Sequence, residues 1–137
     1  MYDGQRAPGV LNALWCTDRG MEVAAQQGIA LLGLRNTNHW MRGSSYGWHA
    51  ANKSYIMFAW TNTESCMPAG GGKDQRLGNN PFIMAAPRPG GPVVLDMAMS
   101  QYSYGKLQVT RRAGQSLDLP QAGVGGIVAK QLSSLQD

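Results

Sequence analysis

Charge is scarce in this chain. Only 15% of its 137 residues are Asp, Glu, Lys or Arg, and 43% are hydrophobic, which excludes the disordered class that charge repulsion keeps open. Cysteine is scarcer, with Cys16 and Cys66 alone. They form no Cys-x-x-Cys pair, and Met1 is not followed by a basic start and an apolar core. Reduced thiols and a cytoplasmic location are therefore expected. The two histidines, His39 and His49, lack the spacing of zinc ligands, so no metal is expected. Long hydrophobic runs are missing too. The apolar stretches 28–34 and 55–60 fall far short of the roughly 18–20 residues that cross a bilayer, and no membrane partner is expected. No Gly-x-Gly-x-x-Gly links a strand to a helix, and Gly70-Gly71-Gly72 is not followed by Lys-Ser or Lys-Thr. A Rossmann fingerprint and a phosphate-cradling loop are both excluded.

What is present reads as one ordinary domain's length with its own core. The net charge is +4, but the cations are scattered with no run longer than two, unlike the basic stripe of a nucleic-acid binder. A small anionic ligand suits this distribution better than a polymer. Residues 8–27 read as a helix, with Pro8 in the first turn, Val10, Leu11, Leu14, Met21, Val23 and Ala24 as a rough apolar face, and Gly28 at the end. Residues 29–34 read as a buried strand and 44–52 as a short helix capped by Ser44 or Ser45. Residues 55–60 read as a strand and 61–80 mostly as loop. Two strands, 82–86 and 93–96, follow around the turn Arg88-Pro89-Gly90-Gly91-Pro92, then a helix over 104–112. The tail carries little pattern, with a frayed helix over 127–135. The fold class is α/β (α+β), with a largely antiparallel mixed sheet and flanking helices.

Three stretches carry chemistry. Asn38-His39-Trp40-Met41-Arg42-Gly43 follows a predicted strand, where functional loops sit in α/β proteins. His39 there is either a proton carrier near neutral pH or a hydrogen-bonded structural residue. Arg42 is either a fork for a carboxylate or a surface cation. Asp96 ends an apolar run, and such a charge is either capped by backbone amides or aimed into a cleft. Asn80, restrained to an extended backbone by Pro81, can present its amide to a ligand. Thr63 and Asn62 follow a strand and can reach a phosphate or amide. The Gly43-Ser44-Ser45-Tyr46-Gly47 match to a nucleophile elbow lacks the leading strand and the later Asp and His of a triad.

Taken together, Asn38-His39-Trp40-Met41-Arg42-Gly43, Ser45-Tyr46-Gly47-Trp48, Trp60-Thr61-Asn62, Gly78-Asn79-Asn80-Pro81, Leu95-Asp96-Met97-Ala98-Met99-Ser100 and Ser103-Tyr104-Gly105-Lys106 resemble the malate/L-lactate (L-sulfolactate) dehydrogenase family. The resemblance runs from about residue 2 to 119. It implies a non-Rossmann NAD(P)-binding domain over 1–119, followed by a divergent or truncated tail over 120–137. It implies an NADH-dependent (or NADPH-dependent) oxidoreductase that reduces a small-molecule 2-keto acid, assembled as a homodimer with the cofactor near the interface.

By the same resemblance, His39 is a catalytic proton donor or acceptor and Asp96 a second catalytic group. Thr63, Pro92, Val93, Val94, Leu95, Asp96, Met97 and Ala98 contact the cofactor, and Arg42 and Asn80 the substrate. Asn79 stands where the family's Gly-Thr-Asn-Pro-like motif has Thr. The family's N-terminal Ser-His-Gly segment and its C-terminal return are not recognisable here. The chain is expected to be a piece of the longer enzyme, either active or a non-catalytic cofactor-binding or dimerising module.

Overall fold

A computed structural model describes residues 1–72, 74–100 and 102–115. The readings made for 120–137, the helix over 127–135 among them, lie outside the described residues. In chain order the elements are β1 (Tyr2–Asp3), α1 (Gly9–Gln27), β2 (Leu34–Arg35), α2 (Ser44–Asn52), β3 (Met57–Trp60), β4 (Met67–Pro68), β5 (Gln75–Leu77), β6 (Phe82–Ala86), β7 (Val93–Met97) and α3 (Tyr104–Arg112). They belong to two compact units. One is Met1–Trp60 with Phe82–Met97, the other Thr61–Pro81 with Ala98–Asp137. Helices mixed with mainly antiparallel strands agree with the expected α/β class, although the strands among the described residues form three small sheets rather than one.

In the first unit, α1 begins after Pro8, whose fixed φ suits a helix entry. It ends at Gly28, where φ is +82° and the amide returns 2.8 Å to the Ala24 carbonyl. A side chain would be strained there, and glycine adopts the left-handed turn freely. The predicted apolar face is only partly used. Met21 is buried, while Val10, Leu11 and Leu14 stay exposed. The predicted strand over 29–34 is corrected. Only Leu34 and Arg35 pair, in parallel with Tyr2 and Asp3, and Ile29 and Leu31 are 80% and 86% exposed. An apolar run alone does not make a strand; it needs a partner edge, and β1 offers two residues.

The core of this unit is the three-stranded sheet β3-β6-β7, antiparallel throughout. Cross-strand partners share a face, so the register sorts the side chains. Ala59, Ile83 and Asp96 form one row, and Met57, Ala85 and Val94 the next. Helix α2 covers this side, and Ile83 is 0% and Ala85 1% exposed. Gly47 is what lets α2 lie so close. A Cβ there would stand 3.1 Å from Ala85 Cβ and 3.2 Å from Ile83 Cγ2. On the opposite side run Trp60, Phe82 and Met97, then Phe58, Met84 and Leu95, then Ala86 and Val93.

In the second unit, 61–80 is mostly loop as expected, with one short strand pair that the sequence reading did not include. β4 and β5 pair antiparallel with a register shift at Met67/Pro68, and Met67 is buried. Strands this short leave too little alternation to read from sequence. α3 has the bounds expected, and Ser103 Oγ caps it by accepting the Lys106 amide at 3.1 Å. Among the described residues, no helix is long and apolar enough to cross a membrane.

Candidate functional site

The loop that carries His39 and Arg42 is pinned at both ends. At its start, a Cβ on Gly9 would collide with the backbone carbonyls of Asn38 and His39, so glycine is what admits the loop against the first turn of α1. The Asn38 side-chain amide donates to the Arg6 carbonyl at 2.7 Å. At its end the loop runs into α2 through Gly43, which is buried beside Ile83 and Trp40. Trp40 stacks on Tyr46 with ring centroids 5.7 Å apart, and burial pushes the Tyr46 phenol up from its ordinary pKa.

Within the loop, Met41 has φ +64°, a left-handed conformation uncommon for a long side chain. That turn sends the Met41 amide back to His39, where it donates to Nδ1 at 2.8 Å. An imidazole nitrogen that accepts carries no proton, so the neutral ring bears its hydrogen on Nε2. The His39 side chain is exposed.

Arg42 and Asp96 meet at Ser44. Arg42 Nε donates to Ser44 Oγ at 2.8 Å, and the Ser44 amide donates to Asp96 Oδ2 at 2.8 Å across 52 residues of sequence. Ser44 itself is 3% exposed. Of the two alternatives for Asp96, the structure shows the backbone-amide contact, on a residue that remains exposed. Its carboxylate satisfies an amide at the start of α2 and compensates the positive end of that helix. It also corrects the expected cap. Neither Ser44 nor Ser45 caps α2 with its side chain; Gly43 holds the cap position in helical conformation, with no side-chain cap bond. Ser44 Oγ is occupied by Arg42 instead. Among the described residues, no hydrogen bond joins His39 to Asp96.

The cofactor stretch divides by strand alternation. Pro92 precedes β7 and is half-buried. Val93, Leu95 and Met97 share the open side of the sheet, whereas Val94 and Asp96 share the side under α2. Ala98 falls in the second unit, as do Thr63 and Asn80. There, Thr63 Oγ1 donates to Asn80 Oδ1 at 3.1 Å. The Asn80 side-chain amide donates to Met99 Sδ at 3.4 Å. The expectation of an extended Asn80 is corrected, since its φ is +43°. Asparagine tolerates that region, and the Asn80 amide and side-chain contacts with Thr63 and Met99 hold it there. Gly78 is required beside this pair, because a Cβ would collide with Thr63 Oγ1.

Sequence reasoning missed Ser44 as the link between Arg42 and Asp96. No local signal marks it, because the partner lies in another strand. Gly43 and Gly47, four residues apart on one helix face, were a readable sign of close packing.

A small antiparallel sheet under one helix, with a polar loop pinned at the strand end and no glycine-rich phosphate loop, defines an α/β domain outside the Rossmann class. The comparisons make that specific. Residues 1–123 match the malate/L-lactate dehydrogenase family, and the chain belongs to it. It is 51% identical over 117 residues to the 2,3-diketo-L-gulonate reductase of Citrobacter koseri, covering 85% of this chain and 35% of that protein. The solved structure of a dehydrogenase from Sinorhizobium meliloti matches with a TM-score of 0.80 and 28% identity, over 85% of this chain and 34% of that one. The sulfolactate dehydrogenase of Methanocaldococcus jannaschii matches with a TM-score of 0.73 and 29% identity, over 86% and 34%. The chain thus spans about a third of the length of the curated relatives it matches.

Proposed function

We propose that this chain is part of an NAD(P)H-dependent oxidoreductase that reduces a 2-keto acid of the 2,3-diketo-L-gulonate kind to the 2-hydroxy acid. The observation that carries the reading is the 51% identity to a 2,3-diketo-L-gulonate reductase over most of this chain, with residues 38–43 forming one pinned loop on which His39 and Arg42 are exposed. The reading includes a homodimer, a cytoplasmic location, and residues 1–119 as the cofactor-binding segment.

The residues present suit a nicotinamide cofactor. Val93, Leu95 and Met97 offer exposed apolar surface for a flat ring, with Pro92, Val94 and Asp96 behind them. In the second unit, Thr63 and Ala98 are assigned further cofactor contacts and Asn80 a substrate contact. Bound NADH, or NADPH, supplies the reducing equivalent. Arg42 offers its terminal nitrogens to the substrate carboxylate as a planar fork. His39 offers Nε2–H to the ketone oxygen, and that hydrogen bond strengthens as the oxygen gains negative charge. Complete transfer of that proton requires one on Nδ1, and so the release of the Met41 amide. Asp96, expected as a second catalytic group, acts through its bond to the Ser44 amide beside Arg42.

The test is NADH oxidation, followed at 340 nm, with 2,3-diketo-L-gulonate as substrate and NADPH run beside NADH. Turnover that falls at least tenfold in His39→Ala supports the reading; turnover unchanged in that variant removes His39 from the chemistry. The shared length with the relatives favours a second reading, a cofactor-binding or dimerising module without turnover. Calorimetric titration with NADH separates the two, since binding with no oxidation supports the module.

A further inference from the structure

Ser44 is used twice. Its amide faces Asp96 at 2.8 Å, and its hydroxyl oxygen receives Arg42 Nε at 2.8 Å. The two bonds place a negative charge, a buried neutral hub and a positive charge in series. Among the described residues, no direct ion pair joins Arg42 to Asp96.

Of the five other Lys and Arg residues of the same unit, three are paired with carboxylates, and Arg6 and Arg88, like Arg42, are not, among the described residues. Arg19 pairs with Glu22 at 2.7 Å, Arg35 with Asp3 at 3.3 Å and Lys53 with Asp18 at 3.1 Å. Among the described residues, Arg42 has no carboxylate within salt-bridge distance. An arginine held through Nε by a hydroxyl keeps its full charge and leaves both terminal nitrogens in one plane, the arrangement that accepts a carboxylate with two parallel bonds. An arginine held by an aspartate would have spent that capacity.

The hub is also rigid. Ser44 is 3% exposed. Gly43 before it is wedged against Ile83, where a Cβ would stand 2.5 Å from Cδ1. Ile83 is the cross-strand partner of Asp96. One strand pair therefore fixes both the helix start and the acid that holds it.

We propose that Ser44 and Asp96 are positioning residues for Arg42. They hold its guanidinium, charged and undivided, for the carboxylate of a 2-keto acid, with Asp96 acting through Ser44 rather than on the substrate. The inference rests on the substrate role proposed for Arg42 and adds the device that orients it. Neither residue touches the reacting atoms.

The experiment uses the full chain and pyruvate, the simplest 2-keto acid, as probe. Two-dimensional ¹H–¹⁵N spectra follow the Arg42 Nε–H and Ser44 amide signals. In the wild type, a slowly exchanging Nε–H signal that shifts on adding pyruvate is expected. Ser44→Ala keeps the amide bond to Asp96 and removes only the hydroxyl. It should abolish the protected Nε–H signal and weaken pyruvate binding by about tenfold, the cost of one hydrogen bond to a charged group. Asp96→Ala should release the Ser44 amide to rapid exchange and weaken binding as well. Asp96→Asn, which keeps an acceptor oxygen, should restore the slow Ser44 amide and most of the binding. Far-UV circular dichroism on each variant identifies any loss that comes from unfolding, and Asp96→Asn keeps the test decisive if Asp96→Ala fails to fold. Pyruvate shifting Arg42 equally in the wild type and in Ser44→Ala overturns the positioning role while sparing the substrate role of Arg42. No pyruvate-dependent shift in the wild type overturns the substrate role, and the inference with it.

Discussion

The two faces of the β3-β6-β7 sheet are built from almost equally apolar side chains, yet only one is closed. Under α2, Ile83 and Ala85 lose essentially all exposure. On the other side, Phe58, Trp60, Met84, Val93, Leu95 and Met97 keep between 38% and 60% of theirs. Strands that are apolar on both faces are characteristic of sheets covered on both sides. Monomeric proteins rarely leave so continuous an apolar patch in water. The contrast teaches that apolar composition alone does not close a face: α2 covers one side, and the other stays open among the described residues.

The comparison can be tested within a single strand. Ile83→Ala empties a fully buried site between Gly43 and Gly47 and should cost about 2–5 kcal/mol in chemical denaturation. Its neighbour Met84→Ala, on the open face, should cost roughly 0.5–1 kcal/mol. Equal losses would erase the distinction between the faces. Gly47→Val probes the closed side from the helix. With Ala85 and Ile83 within about 3.2 Å of the new Cβ, overpacking should cost about 1–3 kcal/mol, read from the same denaturation midpoints.

Leu95→Lys probes the open side. Stability should change by about 0.5 kcal/mol or less, while binding of an apolar fluorescent dye and self-association at high protein concentration should both fall. Unchanged dye binding would mean that the patch is not what the dye reads.

The smallest effect lies away from the sheet, where α1 and α2 are tied by Asp18. Its carboxyl is held below the ordinary carboxylate pKa, first by the hydrogen bond from His49 at 2.7 Å and then by Lys53. A pKa lowered on folding means that the ionised form stabilises the native state. This contribution is fully present above the ordinary carboxylate range and is lost as pH falls through the lowered value. His49→Ala should therefore flatten the acid limb of stability against pH slightly, measured by thermal unfolding between pH 3 and pH 6, set at roughly the window in which carboxylates titrate. An unchanged limb would remove His49 as the cause.

Much of the fold was legible because it rests on local signals. The bounds of α2 and α3 and the pair β6 and β7 follow from helix periodicity, from β-favouring runs and from the Gly90-Gly91 turn, where both glycines take positive φ. The strand over 29–34 failed because apolar composition does not say whether a partner edge is long enough. The β4–β5 pair was missed because two or three residues show no period. In the candidate site, the loop 38–43 was legible from residue types, and the extended reading of Asn80 failed because a bias before proline yielded to the contacts of Thr63 and Met99 with that residue.

By itself, the sequence determined which residues carry charge and hydrogen-bonding capacity, where the helices start and stop, and to which family the chain is kin. Those are properties of neighbours along the backbone and of ordered motifs. Only the tertiary structure decided that Asp96 meets the amide of Ser44, that Ser44 holds Arg42, and that Met41 fixes the tautomer of His39. The first of these bonds spans 52 residues, and the others depend on a strained turn and a buried helix start. Such contacts exist only once the strands have found their register, because register alone brings Asp96 beside Ile83 and beneath α2.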